Sequence, residues 1–358
     1  MLLDDGDPDD GDDVQAERGL FDRTMVPTFR VPEDRSGVDI DRDRVTGVVL
    51  GAAVGDALGA PFEFAPRGTF SARLPDRRPD GTGDMIGGGA FGWEQGEFTD
   101  DTQMGIALAA SLLDRGGYDP DDLWHRWQVW ARTSSDVGNT TRFALHHDDW
   151  RDVEHPDPDM TAANGALMRA FPLALATLDV DPATARAVTI HQSLLTHAHR
   201  AAAWGAWLGV AMMRAGVSGE DPLAALESEL VQLSRRDPAT AHRFIVMLDP
   251  GWEPADGDRE HIGNGSVWGC LAQAVWALRR HDRFADVVAD VVELGKDTDT
   301  VACVAGAIAG ARDGTSAIPK GWLGPVHGTV DTPNGITHHD RDDLSDLALR
   351  LAPGGTGG

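Results

Sequence analysis

Two short segments, at residues 98–102 and 295–300, place neighbouring carboxylates beside threonine hydroxyls. Their sequences are FTDDT and GKDTDT, and each lies where a polar loop gives way to a helical pattern. A carboxylate at a helix amino terminus commonly caps the exposed N–H groups, so capping is one interpretation of each segment alone. A cap needs one side-chain oxygen, whereas these segments together carry four carboxylates. The surplus favours a shared site for hard divalent cations, which bind carboxylate and hydroxyl oxygens.

Four carboxylates brought together would repel one another unless cations neutralised them. Such a set can hold two Mg²⁺ ions about 3.5–4 Å apart, a spacing that orients the oxygens of a substrate. Mn²⁺ accepts the same oxygen ligands, so the composition does not choose between the two metals. This interpretation requires residues near 100 and near 298 to meet in one pocket. If the segments lie apart, each is only a helix cap.

The chain around these segments has the apolar periodicity of helices. From residue 44 onwards, apolar residues recur at spacings of three and four, and Asp56 falls on the same stripe, so it should be buried with hydrogen-bond partners. A second stripe repeats glycine every four residues, at Gly47, Gly51, Gly55 and Gly59. Glycine costs about 1 kcal/mol in a helix interior. The stripe therefore predicts that another backbone packs very close to this helix.

Further periodic segments predict an all-α fold, because strand-like alternation bounded by turn signals is nearly absent. Helices are expected over residues 101–113, 121–132, 164–176, 182–193, 200–214, 222–234, 266–280, 284–294 and 300–311. The length of 358 residues would allow two domains, but a meeting of the two acidic segments closes the chain on itself. We therefore predict a single domain over residues 41–350. Residues 1–40 are predicted to form a disordered acidic tail and residues 351–358 a disordered carboxyl-terminal tail.

The composition argues against several classes of function. The chain has 31 basic and 58 acidic residues and a net charge of −27, which disfavours binding to nucleic acid or to anionic lipid. Two cysteines are too few for a disulfide framework. No signal peptide is evident, and no uninterrupted apolar run approaches the roughly 20 residues of a membrane span. These features predict a cytoplasmic protein.

Six motifs in order resemble the ADP-ribosylglycohydrolase family over roughly residues 45–322. They are GVVLGAAVGDALGAPFEF, FTDDTQM, DVGNTTRFAL, NGALMRAFPLAL, LTHAHRAA and LGKDTDTVACVAGAIAGARDG. The resemblance implies an orthogonal multi-helix bundle with a binuclear magnesium site in a central cleft. It also implies a monomer, and hydrolysis of the glycosidic bond between ADP-ribose and an acceptor. The acceptor would be a protein side chain such as arginine, or a small molecule.

The resemblance also implies a role for each matching position. Six residues match the metal ligands: Thr99, Asp100, Asp101, Asp297, Asp299 and Thr300. Glu63 matches the glutamate beside the scissile bond, and we expect it and Asp299 to be essential for catalysis. Five residues match positions around the substrate: Gly138, Asn139 and Thr140 along the diphosphate, and Asn164 and His197 at the pocket. Whether Glu63 transfers a proton or orients water is left open.

Some features depart from the family or allow other interpretations. Lys296 stands where many members have glycine, and residues 215–262 follow no family pattern that we recognise. His191, His197 and His199 raise the alternative of zinc, but no second cluster at a known zinc spacing accompanies them. Two other functions remain as alternatives: hydrolysis of another ADP-ribose derivative or nucleoside-diphosphate sugar, and a non-catalytic ADP-ribose-binding or structural role. Loss of a metal ligand or of Glu63 would favour the latter, and all seven residues are present.

Overall fold

Helices form most of the regular structure in the computed structural model, which describes residues 19–31 and 40–354. The all-α prediction is confirmed. The α-helices of this part are α1 Arg42–Gly59, α2 Thr69–Arg73, α3 Asp100–Arg115, α4 Pro120–Ala131, α5 Asn139–Leu145, α6 Gly165–Met168, α7 Phe171–Ala176, α8 Pro182–Leu194, α9 Arg200–Val217, α10 Pro222–Arg236, α11 Pro238–Met247, α12 Pro254–Arg259, α13 Val267–Arg280, α14 Phe284–Glu293, α15 Thr298–Asp313, α16 Lys320–Leu323 and α17 Arg341–Leu351. Short 3₁₀ turns occupy Ala60–Phe62, Trp150–Asp152, Pro158–Thr161 and Thr315–Ala317.

Helices α1 and α15 pack backbone against backbone at the centre of the molecule. A Cβ atom added at Gly47 would overlap the carbonyl of Gly310, and one at Gly51 would overlap the carbonyl of Gly306. The same holds farther along the stripe, where Gly55 faces Ala302. The predicted close approach is thus confirmed, and its partner is the small-residue helix that follows the second acidic segment. Both helices are buried along nearly their whole length.

A buried carboxylate joins α1 to the start of α3. The backbone N–H of Thr99 donates to Asp56 Oδ1 at 2.9 Å, and the N–H and hydroxyl of Thr102 donate to Asp56 Oδ2 at 3.0 and 2.6 Å. These bonds satisfy N–H groups that a helix amino terminus leaves unpaired. The prediction that Asp56 is buried with partners is confirmed. Because Asp56 caps α3 from another helix, the carboxylates of Asp100 and Asp101 are not needed as caps.

Residues 327–340 form a β-hairpin that the helical pattern did not predict. Strand β1, His327–Thr332, pairs antiparallel with β2, Gly335–Asp340, in a register that sets His327 opposite Asp340. The two residues between the strands are Pro333 and Asn334, and Gly335 begins β2; proline, asparagine and glycine are all common at turns. Helix α17 follows directly and was also not predicted. Its first turn is held by Asp340, whose carboxylate accepts N–H groups from Asp342 and Asp343.

The boundaries predicted for the two disordered tails are wrong in part. Phe29 is only 3% exposed, its carbonyl accepts the N–H of Tyr118 at 3.0 Å, and the Arg23 carbonyl is bonded to His191. Residues 19–31 are therefore packed against the rest of the chain, because Phe29 has a buried site to occupy and Leu20, Phe21 and Val31 pack on the core. At the other end, Leu351 and Ala352 are buried. The rest of the predicted tails, residues 1–18, 32–39 and 355–358, lies outside the described residues.

The buried hydrophobic side chains of the described residues form one connected cluster, from Phe29 to Ala352. One stretch within it, Arg42–Phe62, is long and apolar enough to cross a membrane by length and composition. In this structure 94% of its most apolar window is buried. That burial is typical of a core helix, and here the helix is held by the glycine contacts with α15. Cys270 and Cys303 are buried free thiols within the same core.

Candidate functional site

The two acidic segments meet in one cleft. Asp100, at the start of α3, and Asp297, Asp299 and Thr300, at the start of α15, line the same opening. The cleft has a volume of about 550 Å³, within the range of small-molecule binding sites. Neither Thr99 nor Asp297, the residues that precede the two helices, makes a side-chain capping bond. The capping interpretation therefore does not explain the segments, and their predicted meeting is confirmed.

The cleft also gathers the residues that the family resemblance assigned to catalysis and to the substrate. Its walls include Glu63, Gly138, Asn139, Thr140, Asn164 and His197. These side chains come from the turn after α1, the start of α5, the turn before α6 and the turn after α8. Segments far apart in the sequence thus converge because α1 and α15 hold the two acidic segments together.

Two of the predicted metal-binding residues, Thr99 and Asp101, lie behind the cleft wall. Both are fully buried, and the Thr99 hydroxyl donates to Asp101 Oδ2 at 3.1 Å. The other carboxylate oxygen, Asp101 Oδ1, is buried and has no hydrogen-bond partner. An unsatisfied buried carboxylate oxygen is costly, and a cation is one group that would satisfy it. The oxygen-only donor set therefore fits hard divalent cations.

The carboxylates of the two segments interact electrostatically. Burial raises the pKa values of Asp100, Asp101 and Asp299 well above the usual range. For Asp299 the next largest cause is the charge of Asp101, so the two segments repel each other directly. Burial also raises the pKa of Asp297. Positive charge placed among these groups would remove the repulsion, which is a second reason why the site fits cations.

A further acidic residue, Asp136, belongs to the site and was not assigned by the sequence analysis. One carboxylate oxygen from each of Glu63, Asp136 and Asp299 lies within 4.8 Å of the other two. Burial, then the charge of Asp136 and then that of Asp297, raises the pKa of Glu63 to about 8. Burial and Asp297 raise the pKa of Asp136 to about 6. The available signal was its position as the first residue of DVGNTTRFAL, a motif in which only the next residues were assigned.

Two asparagines hold the second acidic segment in place. Asn164 donates from Nδ2 to Asp297 Oδ2 at 2.8 Å and to the carbonyl of Asn264 at 3.0 Å. Asn264 in turn donates to the carbonyl of Gly295 at 3.0 Å and accepts the N–H of Asp297 at 3.3 Å. Asn164 thus contacts a predicted metal-binding carboxylate as well as lining the cleft. Asn264 had no assigned role in the sequence analysis.

The loop that presents Glu63 is pinned to the loop before α15. The N–H of Phe64 donates to the Lys296 carbonyl at 2.6 Å, and the N–H of Lys296 donates to the Ala65 carbonyl at 2.8 Å. Phe64 and Lys296 both have positive φ angles, of 61° and 65°. Glycine adopts this conformation with little strain, so the backbone at position 296 is one that a glycine would suit. The Lys296 ammonium pairs with Asp258 Oδ1 at 2.6 Å.

The cleft has an apolar part that the sequence analysis also left unassigned. Phe143, His155 and Met160 line it, and the ring centroids of Phe143 and His155 are 4.9 Å apart. Phe143 is 37% exposed and Met160 is 75% exposed, although both are apolar. Exposed apolar side chains grouped at a cleft commonly mark a ligand surface. The arrangement offers a flat ring surface beside a polar, carboxylate-rich region.

The histidines considered for zinc do not converge. His197 lines the cleft, whereas His191 is bonded to Tyr118 and to the Arg23 carbonyl. His199 accepts the N–H of Ala201 at the start of α9. Each of the latter two therefore has a structural role away from the acidic cluster.

Comparisons with known proteins point to one family. The family model described as ADP-ribosylglycohydrolase matches residues 38–357. An ADP-ribosylarginine hydrolase of Serratia proteamaculans is 32% identical, over 83% of this chain and 78% of its own length. An ADP-ribosyl-[dinitrogen reductase] glycohydrolase of Rhodospirillum rubrum is also 32% identical, over 81% of this chain and 92% of its own length.

A solved structure supports the same assignment. It is described as an ADP-ribosylglycohydrolase-related protein complex and superposes with a TM-score of 0.67 at 33% identity. The match covers 87% of this chain and 97% of the other. Sequence, fold and the converging acidic segments lead to the same conclusion: the chain belongs to the ADP-ribosylglycohydrolase family.

Proposed function

We propose that this enzyme hydrolyses the N-glycosidic bond between ADP-ribose and an arginine side chain, and that it requires divalent cations. The proposal depends most on the group of Glu63, Asp136 and Asp299, whose carboxylate oxygens lie within 4.8 Å of one another. An arginine linkage places a cationic guanidinium beside the glycosidic carbon, and carboxylates complement that charge. The relative of Serratia proteamaculans, named as an ADP-ribosylarginine hydrolase, supports arginine as the acceptor. The name of the Rhodospirillum rubrum relative, an ADP-ribosyl-[dinitrogen reductase] glycohydrolase, supports a modified protein as the substrate.

The oxygens of both acidic segments would hold two Mg²⁺ ions, or Mn²⁺ in their place. The ligands would come from Thr99, Asp100, Asp101, Asp297, Asp299 and Thr300. When bound, the ions would polarise the ribose hydroxyls and lower the pKa of a water molecule near them. The unsatisfied Asp101 Oδ1 and the raised pKa values of the buried aspartates support this assignment.

Glu63 would move the proton during hydrolysis. Water adds its oxygen to the glycosidic carbon, and the bonding electrons leave with the guanidine nitrogen, which becomes neutral. The carboxylate of Glu63 would accept the proton of that water and then return it to the guanidine, which leaves as a guanidinium ion. Glu63 Oε2 is buried without a hydrogen-bond partner, so it is available for this proton. Asp136 would hold the guanidinium by charge while the bond breaks.

The nucleotide half of the substrate would occupy the rest of the cleft. Gly138, Asn139 and Thr140, at the start of α5, would line the diphosphate with their backbone and side-chain donors. The adenine ring would pack on Phe143, whose exposed ring faces the same cleft. We further infer a monomeric, cytoplasmic enzyme that acts without nucleic acid or membrane, a view supported by the net charge of −27.

A panel of defined substrates tests the proposal. ADP-ribose linked to arginine and ADP-ribose linked to serine would each be incubated with the enzyme, with EDTA and with Mg²⁺ added back. We expect release of ADP-ribose from the arginine substrate, loss of that release in EDTA and recovery with Mg²⁺. Faster release from the serine substrate would refute arginine as the preferred acceptor. Unchanged release in EDTA would refute the requirement for divalent cations.

A further inference from the structure

A fully buried arginine lies next to the cleft. Arg169 is 0% exposed, and its guanidinium stacks on Trp127 with Cζ 4.0 Å from the ring centre. It donates to Gln192 Oε1 at 3.0 Å, to the Gln192 carbonyl at 3.1 Å and to Thr196 Oγ1 at 2.8 Å. These acceptors are neutral. The guanidinium therefore polarises neutral groups. Among them, Thr196 also contacts residues of the cleft.

Thr196 contacts both imidazoles of the cleft. Its hydroxyl oxygen lies 2.8 Å from His197 Nδ1, and its carbonyl oxygen lies 2.8 Å from His155 Nε2. His155 and His197 both line the cleft. Thr196 thus bonds His197 through its side-chain hydroxyl and His155 through its backbone carbonyl.

The two contacts give both rings the same tautomer, with the proton on Nε2, but they leave different nitrogens free: Nδ1 of His155 and Nε2 of His197. A carbonyl only accepts, so His155 must carry its proton on Nε2, and its Nδ1 is bare in the neutral ring. The Thr196 oxygen accepts an N–H from the cationic Arg169, and within the described structure His197 Nδ1 is the one acceptor for the hydroxyl proton, so Thr196 donates to His197. His197 then carries its proton on Nε2. Burial, reinforced by Arg169, lowers the pKa of His197 well below its usual value, so the ring is neutral.

The edge of His197 that bears Nε2 borders the ligand space. A Cβ added at Gly165, another residue of the cleft wall, would lie 3.2 Å from both Cε1 and Nε2 of His197. That nitrogen is therefore placed to donate an N–H to an anionic or carbonyl oxygen of a nucleoside diphosphate. A bare nitrogen at the same place would repel such an oxygen.

We propose that Thr196 is a positioning residue that sets the two cleft histidines to opposite hydrogen-bond polarity, with His197 donating from Nε2 and His155 accepting at Nδ1. The polarity selects the nucleoside-diphosphate part of the substrate. This assignment rests on the proposed function only for the identity of the ligand. The tautomers themselves are a property of the free protein.

The test replaces Thr196 by valine, which removes the side-chain hydroxyl and retains the backbone carbonyl. Nitrogen-15 NMR of histidine-labelled protein, without ligand, would compare the wild type with Thr196→Val. We expect His197 to have its proton on Nε2 in the wild type and to lose that preference in Thr196→Val. His155 should keep its tautomer in both proteins, because its partner is the backbone carbonyl, and it serves as an internal control.

Kinetics and binding supply the functional readout. With Mg²⁺ present, Thr196→Val should raise the KM for substrate and the Kd for ADP-ribose about tenfold, the effect of one lost hydrogen bond, with kcat nearly unchanged. Thr196→Ser keeps the hydroxyl and should restore both values. Thr189→Val is the matched control, because this buried threonine bonds only the Ala185 carbonyl within α8.

Two results would overturn the inference: an unchanged His197 tautomer in Thr196→Val, or a KM for that variant equal to that of the wild type. Failure of the proposed function would look different. A wild-type protein that neither binds ADP-ribose nor releases it from any substrate would refute the proposed function. In that case the tautomer comparison on the free protein would still decide the role of Thr196.

Discussion

Two carboxylates at the site lack the hydrogen bonds that usually compensate for burial. Glu63 Oε2 and Asp101 Oδ1 are buried without hydrogen-bond partners, a state rarely kept in a protein without a reason. Burial together with like charges raises the pKa of Glu63 to about 8. A carboxyl group poised near neutral pH can both accept and return a proton, which is what the proposed hydrolysis asks of it.

Replacing Glu63 by glutamine should separate binding from turnover. Glutamine keeps the size of the side chain but cannot accept the proton, so kcat should fall by about 10²–10⁴-fold. The Kd for ADP-ribose, measured by calorimetry, should stay within about threefold of the wild-type value, because glutamine keeps the contacts that bind ADP-ribose before the reaction. Glu94→Gln is the matched control: Glu94 is 80% exposed and should leave both values unchanged. Near-normal turnover by Glu63→Gln would remove Glu63 from the mechanism.

His191 should make the stability of the protein depend on pH. Both its ring nitrogens are bonded, to the Tyr118 hydroxyl and to the Arg23 carbonyl, and burial lowers its pKa from 6.5 to about 4. A lowered histidine pKa means that stability is complete above about pH 6.5 and is lost as the pH falls toward 4. The loss amounts to at most about 3 kcal/mol.

The His191→Gln variant isolates this effect in urea unfolding. Glutamine can still donate to the Arg23 carbonyl but does not ionise. The variant should be less stable than the wild type at pH 7, and the gap should narrow as the pH falls from 6.5 to 4. A gap that stays constant over this range would show that His191 titrates alike in the folded and unfolded states.

Helices α1 and α15 determine where the acidic segments lie. Helix α1 ends just before Glu63 and carries Asp56, whose carboxylate holds the start of α3. Asp299 and Thr300 lie in the first turn of helix α15. Their glycine contacts set the distance between the elements that carry the site. A change in this contact should therefore affect both stability and the cleft.

Gly51→Ala tests the contact. The added methyl group would overlap the Gly306 carbonyl and force the helices apart, which should lower the free energy of unfolding by about 3 kcal/mol. Affinity for Mg²⁺ should fall as well, because Asp299 moves with α15. Gly263→Ala is the control: a Cβ there meets no atom within 4 Å, and the change should cost under about 0.5 kcal/mol. Equal unfolding energies in urea for the two variants would contradict this packing.

Periodic patterns predicted the long elements well and the short ones poorly. The glycine stripe and the apolar stripe of α1 anticipated its burial, because a sustained period is a strong signal. The hairpin at residues 327–340 and helix α17 lacked such a signal: β2 is mostly exposed, so it shows no apolar alternation. The hairpin could have been inferred only from the turn residues Pro333, Asn334 and Gly335.

At the level of the whole molecule, the tertiary fold completes the site. The family resemblance and the chemistry of aspartate identified both acidic segments. These predictions needed only the residue types and their order in the sequence. Asp136 and Phe143 lie within the motif DVGNTTRFAL, but their roles, like that of His155, could not be derived from local pattern, because their proximity to Glu63 and His197 exists only after folding. Residues 19–31 were likewise read as tail, since the buried site of Phe29 is formed by distant segments.

The net charge of −27 gives the molecule a field that attracts cations and repels other anions. A divalent ion that enters the cleft meets carboxylates from both ends of the domain. Asp101 and Asp299, one from each segment, repel each other in the absence of an ion, so we expect a bound ion to stabilise the fold.

Calorimetric titration of Mg²⁺ tests the shared site most directly. The proteins are the wild type, Asp101→Asn from the first segment, Asp299→Asn from the second and, as a control, Asp342→Asn at an exposed helix start. Both cleft variants should bind Mg²⁺ at least about tenfold more weakly, while the control binds as the wild type does. Without ions they should unfold at temperatures no lower than the wild type, because a repelling charge is gone. Wild-type affinity in either Asp101→Asn or Asp299→Asn would contradict a site shared by the two segments.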